Sequence, residues 1–123
     1  MRPPPTFLTT TENNLPDYHI TERFGVVRGI TVRSRSIFGT LGAVFQQIRG
    51  GDISLLTDLC EQTRATAFNL AIEHAKALGA NALIALRYDA TEIMQGVSEV
   101  LCYGTAVRVV PIRQQQDEEP STT

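Results

Sequence analysis

Residues Val97 to Val110 are apolar on both alternating sets of positions, and few arrangements can satisfy such a strand. Taken every second residue, one set is Val97, Glu99, Leu101, Tyr103, Thr105, Val107 and Val109. The other is Ser98, Val100, Cys102, Gly104, Ala106, Arg108 and Val110. Successive strand side chains point to opposite faces, so a sheet built on this segment needs cover on both sides. Ala82, Ile84 and Leu86 against Leu83 and Ala85 repeat the pattern. An antiparallel sheet with one solvated face would instead alternate cleanly between apolar and polar.

One helix offers itself as cover. From Ser54 to Leu78 there is no Gly or Pro, and Leu56, Leu59, Cys60, Ala67, Leu70, Ala71, Ala75 and Leu78 recur at close to helical spacing. Gly50-Gly51 precedes it, Asp52 or Ser54 is placed to cap its first amides, and Gly79 suits the left-handed position after its last turn. A second, interrupted helix is expected over Ile37, Phe38, Leu41, Val44, Phe45 and Ile48, where Gly39 and Gly42 each lower helix propensity by about 1 kcal/mol. Strands are expected at Tyr18 to Val32, Ala82 to Tyr88 and Val97 to Val110, the last two joined around Gln95-Gly96. The class is α+β in the order β-α-β-β, with one long helix on a small, mainly antiparallel sheet. That helix covers one face. The remaining apolar face predicts a homo-oligomer, because a second copy is the simplest cover.

With 123 residues the chain has the length of a single domain. The folded part is expected at residues 9–112, between a flexible Pro-rich start (1–8) and a disordered acidic tail (113–123). A net charge of −2 with 20% charged residues speaks against nucleic acid as a partner. No apolar run approaches the ~20 residues of a bilayer span, and Met1-Arg2-Pro3-Pro4-Pro5 lacks the apolar stretch of a secretory signal, so a cytoplasmic protein is expected. Cys60 and Cys102 form no CxxC pair and read as buried packing thiols.

Read together, several short segments resemble the YbjQ-like family of uncharacterised proteins. They are Leu15-Pro16 with Tyr18 and Ile20, Gly25-Val26-Val27-Arg28-Gly29, Thr31 to Ile37, and Gly50-Gly51-Asp52-Ile53. Ala77 to Ala82, Arg87-Tyr88-Asp89-Ala90, Gly96 to Val100 and Tyr103 to Val107 continue the match. Leu56, Gln95 and Cys102 depart from it, standing where an aromatic residue, Pro and a small residue are usual. The resemblance implies a dodecin/YbjQ-like domain that closes into a pentameric ring by adding strands across subunit edges, with two rings sometimes stacking into a decamer. The family's label also implies heavy-metal binding.

The residues give that label little footing. A soft-metal site wants three or four Cys or His ligands within about 2.0–2.3 Å of the ion. The weak candidates are Cys60, His74 and Cys102, and no set of ligands is assigned. Cys60 and His74 lie fourteen residues apart on one helix, or about 21 Å, and positions three and four from His74 hold Leu70, Ala71, Ala77 and Leu78. Metal ligands would have to come from several subunits.

Arginine is more suggestive. Of eleven basic residues only Lys76 is a lysine, and Arg23, Arg28, Arg33, Arg35 and Arg49 gather in the first half. Arg33 and Arg35 share a face if extended and would repeat around a ring as an anion-binding rim, or would pair with Glu22, Glu61, Asp52 or Glu99 of a neighbour. Arg87, Tyr88 and Asp89 at a strand end, with Glu92 in the loop beyond, are the other polar group placed to line a cleft. The glycines fit neither GxGxxG nor a P-loop, and no serine sits in a GxSxG elbow, so no catalytic residue and no cofactor is assigned. The expectation is a ring-forming binding or scaffold module in preference to an enzyme, with a small molecule or anion at subunit interfaces and heavy-metal binding as the rival.

Overall fold

A computed structural model describes residues 6–34 and 54–112. The expected helix over Ile37 to Ile48, the glycines at 39, 42, 50 and 51, and both chain ends (1–5 and 113–123) lie outside the described residues. So do Arg35, Arg49 and Asp52.

The architecture is one long helix against a four-stranded mixed sheet. Strand β1 is Leu8–Thr9, β2 is Tyr18–Ser34, helix α1 is Ser54–Ala77, β3 is Ala82–Met94 and β4 is Val97–Pro111. The sheet order is β1-β3-β4-β2. Only the β1–β3 pair is parallel, so the expected α+β class with a mainly antiparallel sheet is what forms. β1 was not legible: two residues are too few to display a period of two. It shows that the fold starts before residue 9, since Leu8 N–H donates to the Asn81 carbonyl at 3.1 Å and Phe7 packs on the helix-side core.

The expected stop signals act as expected. Gly79 adopts φ 96°, its N–H donates to the Lys76 carbonyl, and the Ala80 N–H reaches back to the Ala75 carbonyl, the paired bonds of a Schellman ending. Gln95-Gly96 forms a two-residue hairpin turn with Gly96 at φ 77°.

The helix rests close on the sheet because its contact row is small. Ala67, Ala71 and Ala75 are fully buried among Val27, Leu83, Leu86, Cys102 and Ala106. Gly29 on β2 lies directly beneath them: a Cβ there would collide with the Ala67 carbonyl oxygen and come within 2.6 Å of the Ala71 nitrogen. Cys60 departs from expectation. The row facing the sheet runs Leu59, Thr63, Ala67, Ala71, Ala75, and Cys60 stands one position, or 100°, around from it, so its thiol is exposed while that of Cys102 is buried.

The second face is covered over part of its length, and by the chain itself. Leu8, Leu15, Tyr18 and Ile20 close over Ala82, Ile84, Val107 and Val109. A bulge at Ala85, whose φ is 53°, turns β3 at the point where its N–H meets the Glu12 carbonyl. Beyond it both faces lose cover. β3 is buried from Ala82 to Leu86 apart from partly exposed Ala85, and exposed from Arg87 to Met94. Val26 is 73% exposed, and Ile30, Val32, Ile93, Met94 and Tyr103 are exposed with it. No described helix is long and apolar enough to cross a membrane.

Candidate functional site

The feature most suited to holding a ligand is a cavity of about 220 Å³ between the first turns of α1 and the far half of the sheet. Leu59, Cys60, Thr63 and Arg64 line it from the helix, Arg33 from β2, Ser98 and Val100 from β4, and Ala90 from β3. Register explains why these residues converge. Arg33 is the cross-strand partner of Ser98, and Ala90 of Val100, so each pair shares the face that α1 covers. Thr63 is part of the helix row facing the sheet, and being polar it escaped a reading based on apolar periodicity. Its Oγ1 donates to the Leu59 carbonyl at 2.9 Å and accepts from Arg33 Nε at 3.3 Å. Arg33 is thus held against the cavity wall by a buried hydroxyl.

Arg64 is fixed differently. Its guanidinium lies over the Tyr88 ring, 5.6 Å from the centroid. Tyr88 and Cys102 are cross-strand partners on the same face. Burial pushes the Cys102 thiol up, with its neighbour Tyr88 opposing it. The Tyr88 phenol is also raised, by burial first and then by Cys102, while Arg64 acts in the opposite direction. Both groups are therefore protonated and neutral at physiological pH.

The cluster expected from Arg87, Tyr88, Asp89 and Glu92 does not form one cleft. These residues lie within β3, Glu92 included, so strand alternation sends Tyr88 to the helix side and its neighbours Arg87 and Asp89 to the other. The Arg87 guanidinium donates to the carbonyls of Thr11 (2.7 Å) and Leu86 (2.8 Å), tying down the N-terminal segment. Of the expected ligand-binding residues, Arg33 is placed in the cavity, Tyr88 next to it through Arg64, and Arg35 falls outside the described residues. Thr63, Arg64, Ala90 and Ser98 were not anticipated. Arg64 carried a usable signal, one turn from Cys60 on the helix, but only the register of β2, β4 and β3 brings the others to it.

The described residues do not fit a heavy-metal ion. Among them there is no group of three or more His, Cys, Asp or Glu able to surround one. His74 Nδ1 lies 2.6 Å from the Arg28 carbonyl, which only accepts, so this nitrogen is the donor and ties the helix to β2. Cys102 is buried beside Tyr88, and Cys60 is exposed on the helix with no second described thiol, imidazole or carboxylate lining its cavity.

Comparison with known proteins bears on the same region. The profile of a family designated YbjQ_1 and described as "Putative heavy-metal-binding" matches residues 7–110. A "UPF0145 protein" from Solibacter usitatus is 64% identical over 107 residues, covering 87% of this chain and 96% of the relative. One from Burkholderia thailandensis is 57% identical over 103 residues, 84% of this chain and 93% of its own. Another from Burkholderia mallei is 55% identical over the same length.

Proposed function

Given that the chain belongs to the YbjQ-like, UPF0145 family, we propose that it is a self-assembling binding module: copies join through their sheets, and the assembly holds a small anion. The observation that carries this is the pair of long open edges on one sheet. β2 has 17 residues and pairs only with β4 among the described strands, while β3 beyond Leu86, whose N–H still donates to the Thr10 carbonyl, likewise pairs only with β4 among them, since β1 spans no more than Leu8–Thr9. Open edges of this length recruit further strands unless they are blocked. The two edges are different surfaces, so joining β2 of one copy to β3 of the next is a head-to-tail contact, which closes into a ring when its rotation divides a full turn. The exposed Val26, Ile30 and Val32 on β2 and Ile93 on β3 supply apolar area for such a joint. A five-membered ring, alone or stacked in pairs, is the closure proposed.

The heavy-metal reading remains as the rival because the family's description names it. It requires ligands from more than one copy or from residues beyond those described. Charge on the apolar edge tests the leading reading. Val26→Lys and Ile30→Lys lie on exposed positions of β2, so the fold of each copy should persist by circular dichroism while sedimentation velocity shows dissociation. Unchanged sedimentation of the double variant would remove this edge from the assembly. Elemental analysis of protein purified without a His-tag decides the rival: stoichiometric metal would favour it.

A further inference from the structure

A groove runs beside β2 where that strand faces no described neighbour. Residues from both faces of β2 line it, the exposed Val26 and Ile30 from one and the buried Val27 from the other, so it follows the strand's edge. Leu70, His74 and Leu78 of α1 form its other wall. We propose that His74 makes the joint between copies sensitive to pH: the neutral ring is covered by the incoming strand, and the protonated ring opposes that closure. This rests on the reading that copies join at the edge of β2 and supplies the regulation of that joint.

One hydrogen bond fixes where the proton goes. His74 Nδ1 donates to the Arg28 carbonyl at 2.6 Å, so Nε2 holds the lone pair of the neutral ring and takes the second proton. The carbonyl oxygen has two lone pairs, so it can keep this bond and still accept an N–H from an added strand. Such a strand lies about 4.8 Å from β2, inside the groove and against His74. The ring then loses water, which disfavours its charged form. The groups around it offer no compensation. From β2 the charged side chain lining the groove is Arg28, a like charge. On α1 the positions three and four away hold Leu70, Ala71, Ala77 and Leu78. The flanking Lys76 lies over the Phe7 ring, 5.8 Å from its centroid, and the flanking Glu73 is not among the lining residues. Acid therefore places a second positive charge beside Arg28 in an otherwise apolar groove, and closing the joint requires that charge to be buried or its proton given up.

Sedimentation velocity of the full chain over a dilution series, at about pH 7.5 and about pH 5.5, reads the effect. These values bracket the ordinary imidazole range, and the lower one stays above that of carboxylates. Each joint should be about tenfold weaker at the lower pH, which lies about one unit below the ordinary imidazole value. Circular dichroism at both values should show the fold of each copy unchanged. His74→Asn keeps an N–H where Nδ1 stood but takes up no proton, and its sedimentation should be the same at both values. His19→Asn alters the other histidine, exposed at the start of β2, and should keep the wild-type dependence. Wild-type sedimentation that is equal at the two values, or tighter assembly at the lower one, would overturn the proposal. So would a dependence that survives in His74→Asn or vanishes in His19→Asn. The two readings fail differently: one chain mass at about pH 7.5 refutes the assembly, and an assembly indifferent to pH refutes this inference alone.

Discussion

Gly29→Ala adds one methyl group at the tightest approach in the structure. The new Cβ would strike the Ala67 carbonyl oxygen and lie 2.6 Å from the Ala71 nitrogen and 2.8 Å from Leu70 Cβ. All three belong to the helix backbone or its first side-chain carbon, so no flexible group can swing aside. The helix must retreat from β2 by most of an ångström, and the fully buried Ala67, Ala71 and Ala75 then lose contact with Val27, Cys102 and Ala106. Overpacking of this kind costs roughly 1–3 kcal/mol, and the rigid obstruction places Gly29→Ala at about 3 kcal/mol. At a urea slope of about 1.5 kcal/mol per molar, the midpoint should fall by about 2 M with little change in slope. Gly104→Ala is the graded control. Its Cβ would sit 3.0 Å from the Ile84 carbonyl and otherwise in ordinary contact, so about 1 kcal/mol is expected. Wild type and both variants should be unfolded at one protein concentration, because assembly makes stability concentration-dependent. A Gly29→Ala protein within 0.5 kcal/mol of wild type would refute the close helix–sheet packing described above.

Three further outcomes follow from individual contacts. Asn81 acts as an extra strand residue, its side chain donating to the Val109 carbonyl at 2.9 Å and accepting the Val109 N–H at 2.8 Å. Asn81→Ala should therefore cost about 2 kcal/mol in denaturant unfolding, by stranding two backbone groups of a buried residue. Ala85→Gly should be neutral or stabilising by up to about 1 kcal/mol, unusual for a glycine in a strand, because it relieves a left-handed backbone; Ala85→Val should destabilise. Cys102 and Tyr88 bind their protons more tightly in the folded state than when unfolded. Their contribution is thus complete at neutral pH and is lost as pH rises through and above the ordinary thiol and phenol ranges. Thermal unfolding between pH 7 and about pH 11 should show this decline, and Cys102→Ala combined with Tyr88→Phe should flatten it.

How far residues alone reach is seen by contrasting α1 with the cavity. Helix α1 was legible because its start, period and glycine stop are all local; the β3–β4 turn at Gln95-Gly96 was legible too, but Asp89 to Met94, with only Thr91 and Ile93 β-branched, was read as loop where β3 continues. The two-sided apolar strand correctly demanded extra cover, but part of it comes from Leu8, Leu15, Tyr18 and Ile20, a segment with no period to declare itself. Cys60 was misread as buried because it was counted in the apolar stripe, whereas close packing over Gly29 favours the narrow alanine row beside it. Arg33 lines the cavity, while its expected companion Arg35 lies outside the described residues. The cavity neighbour of Arg33 is Arg64, thirty-one positions on, brought there by a helix–sheet contact that no sequence spacing displays.

The central claim is that the open edges of β2 and β3 join copies into a closed assembly. Native mass spectrometry of the untagged full chain at micromolar concentration tests it most directly. The account predicts a single dominant species at five times the chain mass, or ten times for stacked rings. A species at the mass of one chain, persisting as concentration is raised, would contradict it.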